Sequence, residues 1–218
     1  MIENPWSLLP HSGNNLILPI DQFKVSQHNY NSGDSHKFHS ELIPEPYIGN
    51  VSALIVALNA NPGYNEFEVN IHNNPKIKKI MLDNLSHNYS GFYYLSKELD
   101  ISSGATWWRK KLKQLIVDTS INSVSKNFMV IESMAYHSRK FKFINLPSQQ
   151  YSCQLVKMAI DKGAFIIIMR SKNVWFDLVP RLNTFKNLII MNNPQQTYFS
   201  PGNMPRYNEV VEMLSHSI

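Results

Sequence analysis

An α/β fold, with a mainly parallel sheet between helical layers, is what this 218-residue chain predicts, and three observations carry that reading. Four continuous apolar runs have the length of strands. Stretches of helical periodicity lie between them. Each apolar run then ends in residues with amide, hydroxyl, imidazole or guanidinium groups rather than in plain turn formers.

The length suits one large domain. Such a domain buries roughly 70% of its unfolded surface and needs no disulfide or metal staple. Its hydrophobic fraction of 43% and charged fraction of 17% are ordinary for a globular protein. Cys153 is the single cysteine, so internal disulfides and four-thiolate zinc or iron–sulfur sites are excluded. No apolar run approaches the ~20 residues that span a bilayer. Met1 to Pro10 lacks a basic region followed by an apolar core. A cytoplasmic address, no membrane partner, no metal and no cofactor are therefore expected; the oligomeric state is not legible.

Residues 1–48 are rich in Asn, Ser, His and Pro and show little periodicity. They read as an irregular arm packed on the domain formed by residues 49–218. The first apolar run is Ala53-Leu54-Ile55-Val56-Ala57-Leu58, as expected of a strand buried on both faces. Trp108, Leu112, Leu115 and Ile116 then fall on one helical face, with Arg109, Lys110 and Lys113 largely off it. Phe128-Met129-Val130-Ile131 is the second run. Pro147 can open a helix through Leu155 and Met158 that stops at Gly163. Ala164 to Met169 is the third run, followed by a shorter helix through Trp175 and Leu178 that is interrupted or ended near Pro180. Leu188-Ile189-Ile190-Met191 is the fourth, and Pro205 opens a last helix carrying Val210, Val211 and Leu214. Strands alternating with helices require crossover connections. The expectation is a three-layer α/β/α sandwich around a central, mainly parallel four-stranded sheet.

Ligands of open parallel sheets bind beyond the carboxyl ends of the strands. The first run is followed by Asn59-Ala60-Asn61-Pro62-Gly63-Tyr64, and the second by Glu132 and then Tyr136-His137-Ser138-Arg139. The third leads into Arg170-Ser171-Lys172. The fourth leads into Asn192-Asn193-Pro194-Gln195 and on to Ser200-Pro201-Gly202-Asn203. Each has a plain alternative. Asn-Pro-Gly is a good turn, and a lone His such as His137 is commonly a satisfied core residue. Arg170 can pair with a carboxylate such as Glu132, and Ser-Pro-Gly-Asn can be a loop and helix cap. Trp107 and Trp108 are more often core or rim than a stacking platform. Four such ends on one edge nevertheless suggest a site.

The formal charge is +5 and the isoelectric point about 9.2. That permits nucleic-acid binding without demonstrating it. The positive charge gathers in Lys76, Lys78 and Lys79, in Arg109, Lys110, Lys111 and Lys113, and in Arg139, Lys140 and Lys142.

The order of these motifs resembles the uracil-DNA glycosylase superfamily over roughly residues 45–215. A buried strand running into Asn61-Pro62-Gly63 is similar to the first motif of its mismatch-specific branch, where the matching Asn holds the attacking water. Asn193-Pro194-Gln195 is similar to the polar motif after the last strand, and Thr197 to Asn203 to the loop that enters DNA. The chain as a whole resembles an uncharacterised bacterial set within that fold. The marks of that set are Gly91-Phe92-Tyr93-Tyr94, the helix beginning Trp107-Trp108-Arg109-Lys110-Lys111-Leu112, Tyr136-His137-Ser138 and the Ser200–Asn203 loop. The resemblance implies a nucleic-acid partner, DNA ahead of RNA, and excision of a flipped base. In that reading Asn61 serves the reaction, and Glu132 and His137 are this chain's own candidates for the general base. Asn59, Pro62, Gly63, Tyr64, Tyr136, Ser138, Arg170, Asn193, Pro194 and Gln195 hold the base, with Tyr64 stacking on it. Arg109, Lys110, Lys113, Arg139, Lys140, Ser200, Pro201, Gly202 and Asn203 meet the strand.

The chain departs from the family in ways that matter chemically. The first motif has no Asp, Asn59 replaces its usual Gly, and the second motif lacks the His that stabilises the departing base. An amide orients water but takes no proton from it, so a general base must come from elsewhere. Two other readings stand beside base excision: a catalytically silent binder of DNA, RNA or a nucleotide, and a small-molecule enzyme that uses His137 and Arg170 on an anionic substrate.

Overall fold

The structure is a computed structural model describing residues 3–10, 13 and 15–216. Five strands form one mixed sheet: β1 (Tyr47–Gly49), β2 (Ile55–Asn59), β3 (Phe128–Glu132), β4 (Phe165–Ile168) and β5 (Leu188–Ile190). Their order is β1-β3-β2-β4-β5. The four apolar runs supply β2 to β5, which pair in parallel. Their fully buried patterns in β2, β3 and β4 match a sheet covered on both faces.

The fifth strand corrects the expected count of four. β1 joins the sheet edge antiparallel to β3, with Tyr47 opposite Ile131 and Gly49 opposite Met129. Three residues beside two prolines carry too little periodicity to announce a strand. Gly49 ends it at φ +108°, where a Cβ would sit 2.4 Å from the Phe128 carbonyl oxygen.

Among the described residues the α-helices are α1 (Gln22–Asn31), α2 (Glu66–Asn73), α3 (Pro75–Leu85), α4 (Ser103–Asp118), α5 (Ile121–Asn127), α6 (Gln149–Asp161), α7 (Lys172–Leu178) and α8 (Tyr207–Ser215). Asn65 and Asn74 cap α2 and α3 through their side-chain oxygens, and Ser102 and Ser120 do the same for α4 and α5. Pro180 begins a short 3₁₀ turn, so the helix expected around Trp175 stops at Leu178.

Residues 1–48 are less irregular than their composition suggests, since they include α1, and the expected boundary at 48 cuts through β1. Trp6, Leu9, Leu16, Leu18, Val25, Phe38 and Ile43 join the same buried core as the strands. Tyr136 holds this segment in place: its hydroxyl donates to Asp21 Oδ2 at 2.8 Å and accepts from the Leu18 amide at 3.2 Å.

Strand order decides where a site can form. The connection from β2 to β3 moves one way across the sheet, and that from β3 to β4 moves the other way over β2. Right-handed crossovers therefore send the chain after β2 and the chain after β3 to opposite faces. The outgoing connections diverge between β2, which leads toward β3, and β4, which leads toward β5, so the crevice opens at the carboxyl ends of β2 and β4, with the end of β3 beside it.

Candidate functional site

A cavity of about 530 Å³ lies in that crevice. Its floor is Asn59 and Glu132, which face each other across β2 and β3. Asn59 Nδ2 donates to Glu132 Oε1 at 3.0 Å. The other halves of both groups, Asn59 Oδ1 and Glu132 Oε2, are buried without a hydrogen-bond partner. Unsatisfied buried polar atoms are costly; these two lie together beneath the cavity with almost no accessible surface of their own. Burial pushes the Glu132 carboxyl up to about 8; the Asn59 hydrogen bond and the Arg170 charge restrain that rise, and Glu45 adds to it. At neutral pH Glu132 is therefore an acid with a proton to give, while Asn59 Oδ1 is an acceptor.

Asn61 stands in the wall of the same cavity. Its Nδ2 donates to the Ser138 hydroxyl oxygen at 2.9 Å and to the Pro62 carbonyl at 2.9 Å. Gly63 and Ser138 form a parallel bridge that continues the β2–β3 pairing past the strand ends. With its amino group held this way, Asn61 keeps Oδ1 as the atom able to hold a water. The Trp175 indole donates to the Asn59 carbonyl at 2.9 Å and fixes the end of β2.

His137 lines the cavity but is fully engaged. Nδ1 lies 2.8 Å from the Gly63 carbonyl oxygen and Nε2 2.9 Å from that of Ile43. Both ring nitrogens thus face backbone carbonyl oxygens, so His137 ties two segments together and has no ring nitrogen turned free into the cavity. Beside it, His72 Nδ1 accepts from the Ile43 amide at 3.0 Å, and burial pushes this imidazole well below its usual range, with the His137 charge adding to the shift. Glu45 completes the cluster, accepting from the hydroxyls of Tyr93 at 3.0 Å and Tyr94 at 2.5 Å. Burial raises its carboxyl, against the pull of His137 and both tyrosines. Ligand atoms of Glu45, His72 and His137 lie within 4.8 Å of one another. Neither imidazole offers a free lone pair in this arrangement, since the neutral His72 carries its proton on Nε2. The cluster is therefore built as a hydrogen-bonded charge network rather than a metal seat.

The sequence reading passed over Glu45, Glu68, Tyr94, Ser103 and Gly104 as wall residues. Glu68 accepts from the Ser103 amide and hydroxyl, both at 2.6 Å, and from the Ser102 hydroxyl at 3.0 Å. The i, i+4 spacing of Glu68 and His72 was the available signal. It needed α2 to be recognised first.

Other expected residues fall elsewhere. Tyr64 borders the cavity, but its ring is already stacked on His39, centroids 3.3 Å apart, and the Arg139 guanidinium lies 5.0 Å from its centroid. It braces the rim and is not a free platform for a base. Tyr136 is turned into the core against Asp21 and does not line the cavity. Asn193 accepts from the Gln195 and Gln196 amides and shapes its own loop. Pro194 accepts from Arg170 Nε at 3.1 Å, which ties that loop to the cavity edge; Gln195 is exposed.

Asn193 instead lines a second cavity of about 660 Å³, with Lys110, Lys111, Lys113, Tyr198, Ser200, Gly202 and Asn203. No acidic residue lines it. Asn203 holds the loop by donating to the Gln196 and Tyr198 carbonyls; Pro201 is exposed at the tip. Arg109 does not belong to this cleft. It donates to the Tyr94 and Ser96 carbonyls and pairs with Asp100 at 2.6 Å. Arg139 pairs with Glu66 at 2.6 Å, whereas Lys140 is exposed nearby.

Comparison with family models, with curated proteins and with solved structures returns no match. Among the described residues no helix is long and apolar enough to cross a membrane.

Proposed function

We propose that this chain is a nucleic-acid-directed protein that holds one extruded base in the cavity floored by Asn59 and Glu132. The neighbouring strand lies along the lysine-lined cleft. The observation that carries this reading is the adjacency of two unlike cavities. One is floored by a buried amide and acid that bond each other and leave one oxygen each without a partner; three lysines and no acid are among the described residues lining the other, and Lys111 of the second lies over Trp107 of the first. A planar heterocycle with donor and acceptor atoms on one edge matches the first, and phosphates match the second. The four parallel strands and their polar ends also support a uracil-DNA glycosylase-like sheet, which the order of motifs implies.

The reaction this arrangement serves is hydrolysis of an N-glycosidic bond. A water held by Asn61 Oδ1 forms the new bond to the anomeric carbon. The bond to the base breaks, its electron pair stays with the base, and Glu132 gives the base its proton. The proton shed by the water passes to solvent, from which Glu132 is recharged. No Asp stands beside Asn61 to take that proton directly, so the expected turnover is slow.

The test measures binding and base release together. Labelled oligonucleotides carrying uracil, hypoxanthine or a thymine mismatch are assayed by anisotropy and by alkaline cleavage. Binding that weakens steeply with salt, with base release abolished in Asn61→Ala and affinity held within a few fold, supports the proposal. Binding without release on every substrate would leave a silent binder. Absence of binding at low salt would turn the assignment to a small anionic substrate.

A further inference from the structure

We infer that Lys111 and Arg170 form a seat for a phosphate group beside the Trp107 indole, placed to hold the backbone next to the base in the adjoining cavity. The inference rests on the two-cavity reading but not on hydrolysis.

Lys111 lies on α4 and is only 8% exposed. Its ammonium lies over two rings, 4.0 Å from the Tyr198 centroid and 5.3 Å from that of Trp107. No carboxylate among the described residues comes within ion-pair distance of it. Arg170 lies over the same indole, 5.7 Å from its centroid, and only its Nε is engaged, on Pro194. Two cations thus share one ring with no anion between them. The stem of Lys111 is buried while its ammonium reaches the cleft wall, where the two ring faces are its partners. Burial is the main influence pulling the Lys111 ammonium below its ordinary value; Tyr198 opposes this, and the charges of Arg170 and Lys110 add to it. Lys111 lines the lysine cleft, whereas Trp107 and Arg170 line the base cavity, so the seat falls at their junction.

The chemistry selects a phosphate. An ammonium acts as a point charge and a guanidinium as a planar fork, and the two non-bridging oxygens of a phosphodiester can serve one each. The loop that closes the cleft is tied to the same residue, since the Phe199 amide donates to the Lys111 carbonyl at 3.0 Å.

The experiment uses the full chain with three probes: inorganic phosphate, thymidine 5′-monophosphate and a tetrathymidylate. Melting temperature and affinity are measured for wild type, Lys111→Met and Arg170→Gln. Lys111→Met keeps the stem over both rings and removes the charge. It should melt close to wild type without a probe, because the buried stem and its packing on both rings remain. Its affinity for the tetrathymidylate should fall at least tenfold, as should that of Arg170→Gln. Lower melting with unchanged affinity in Lys111→Met, or unchanged affinity in both variants, would overturn the seat while leaving the wider proposal standing. Tighter binding of the tetrathymidylate than of inorganic phosphate supports a strand as the source. Equal binding of the two would overturn that assignment in favour of free phosphate. Protection by phosphate with no tetrathymidylate binding would keep the seat and defeat the nucleic-acid reading.

Discussion

Asn59 and Glu132 end adjacent parallel strands and share one hydrogen bond, while the amide oxygen of Asn59 and the second carboxyl oxygen of Glu132 are left unpartnered at the cavity floor. This geometry makes stability depend on pH. The Glu132 carboxyl lies near 4.5 when unfolded and about 8 when folded. Between those values the native state keeps a proton that the unfolded chain has released, so stability falls as pH rises through that window. The penalty is absent below it and complete above about pH 8, with a size of a few kcal/mol. Thermal melts from pH 5 to 9 should show this decline in wild type and a flatter one in Glu132→Gln. His72 and His87, both lowered by burial, oppose this decline below about pH 6.5, and Glu45, which is raised, adds to it, so the difference between wild type and Glu132→Gln isolates the Glu132 contribution.

Lys110 and Lys113 should set the salt dependence of nucleic-acid binding. Each phosphate contact contributes about 0.7 to 0.9 to the slope of log affinity against log salt. Replacing both by alanine should lower that slope by roughly 1.4 to 1.8. Arg109→Ala should leave the slope unchanged and lower the melting temperature, because its guanidinium is spent on Tyr94, Ser96 and Asp100. Titrations at four salt concentrations separate the two effects.

Gly104→Ala should destabilise the protein. A Cβ there would lie 2.7 Å from atoms of the Tyr94 ring, whose hydroxyl serves the buried Glu45. Overpacking of this kind costs about 1–3 kcal/mol. Urea melts should show a lower midpoint with an unchanged slope.

Tyr136→Phe should loosen the first part of the chain and leave the cavity intact. The buried Asp21 would lose its 2.8 Å hydrogen bond and keep only the Ser148 amide. The expected cost is about 1–3 kcal/mol. Limited proteolysis should cut earlier within α1 and its flanks, with oligonucleotide affinity unchanged.

Much of the sheet was legible because buried parallel strands are written as unbroken apolar runs, as in Ile55 to Leu58 and Phe165 to Ile168. The residues that follow those runs, Asn59, Asn61, Glu132 and Arg170, were legible for the same reason and do meet in one cavity. What escaped was whatever depends on a partner distant in sequence. β1 is a strand only because β3 pairs with it. Glu45 and Glu68 are wall residues only because Tyr93, Tyr94, Ser102 and Ser103 satisfy them in burial. Tyr136 and Tyr64 followed the right strand ends but spend their rings and hydroxyls on the protein itself. A strand end shows where a side chain starts and not which way it turns.

The antiparallel β1 also governs when the cavity can exist. β1 leaves the ribosome before β3, the strand it pairs with, and cannot be seated until β3 has followed. The Glu45 amide, which donates to the Ala135 carbonyl at 2.8 Å, waits for the same segment. Until then the acid wall is unbuilt, and the hydroxyls of Tyr93 and Tyr94 have no carboxylate to meet. The acid wall of the pocket therefore depends on contacts that close a long stretch of chain, and a nascent chain halted before β3 would lack the strand on which β1 is seated.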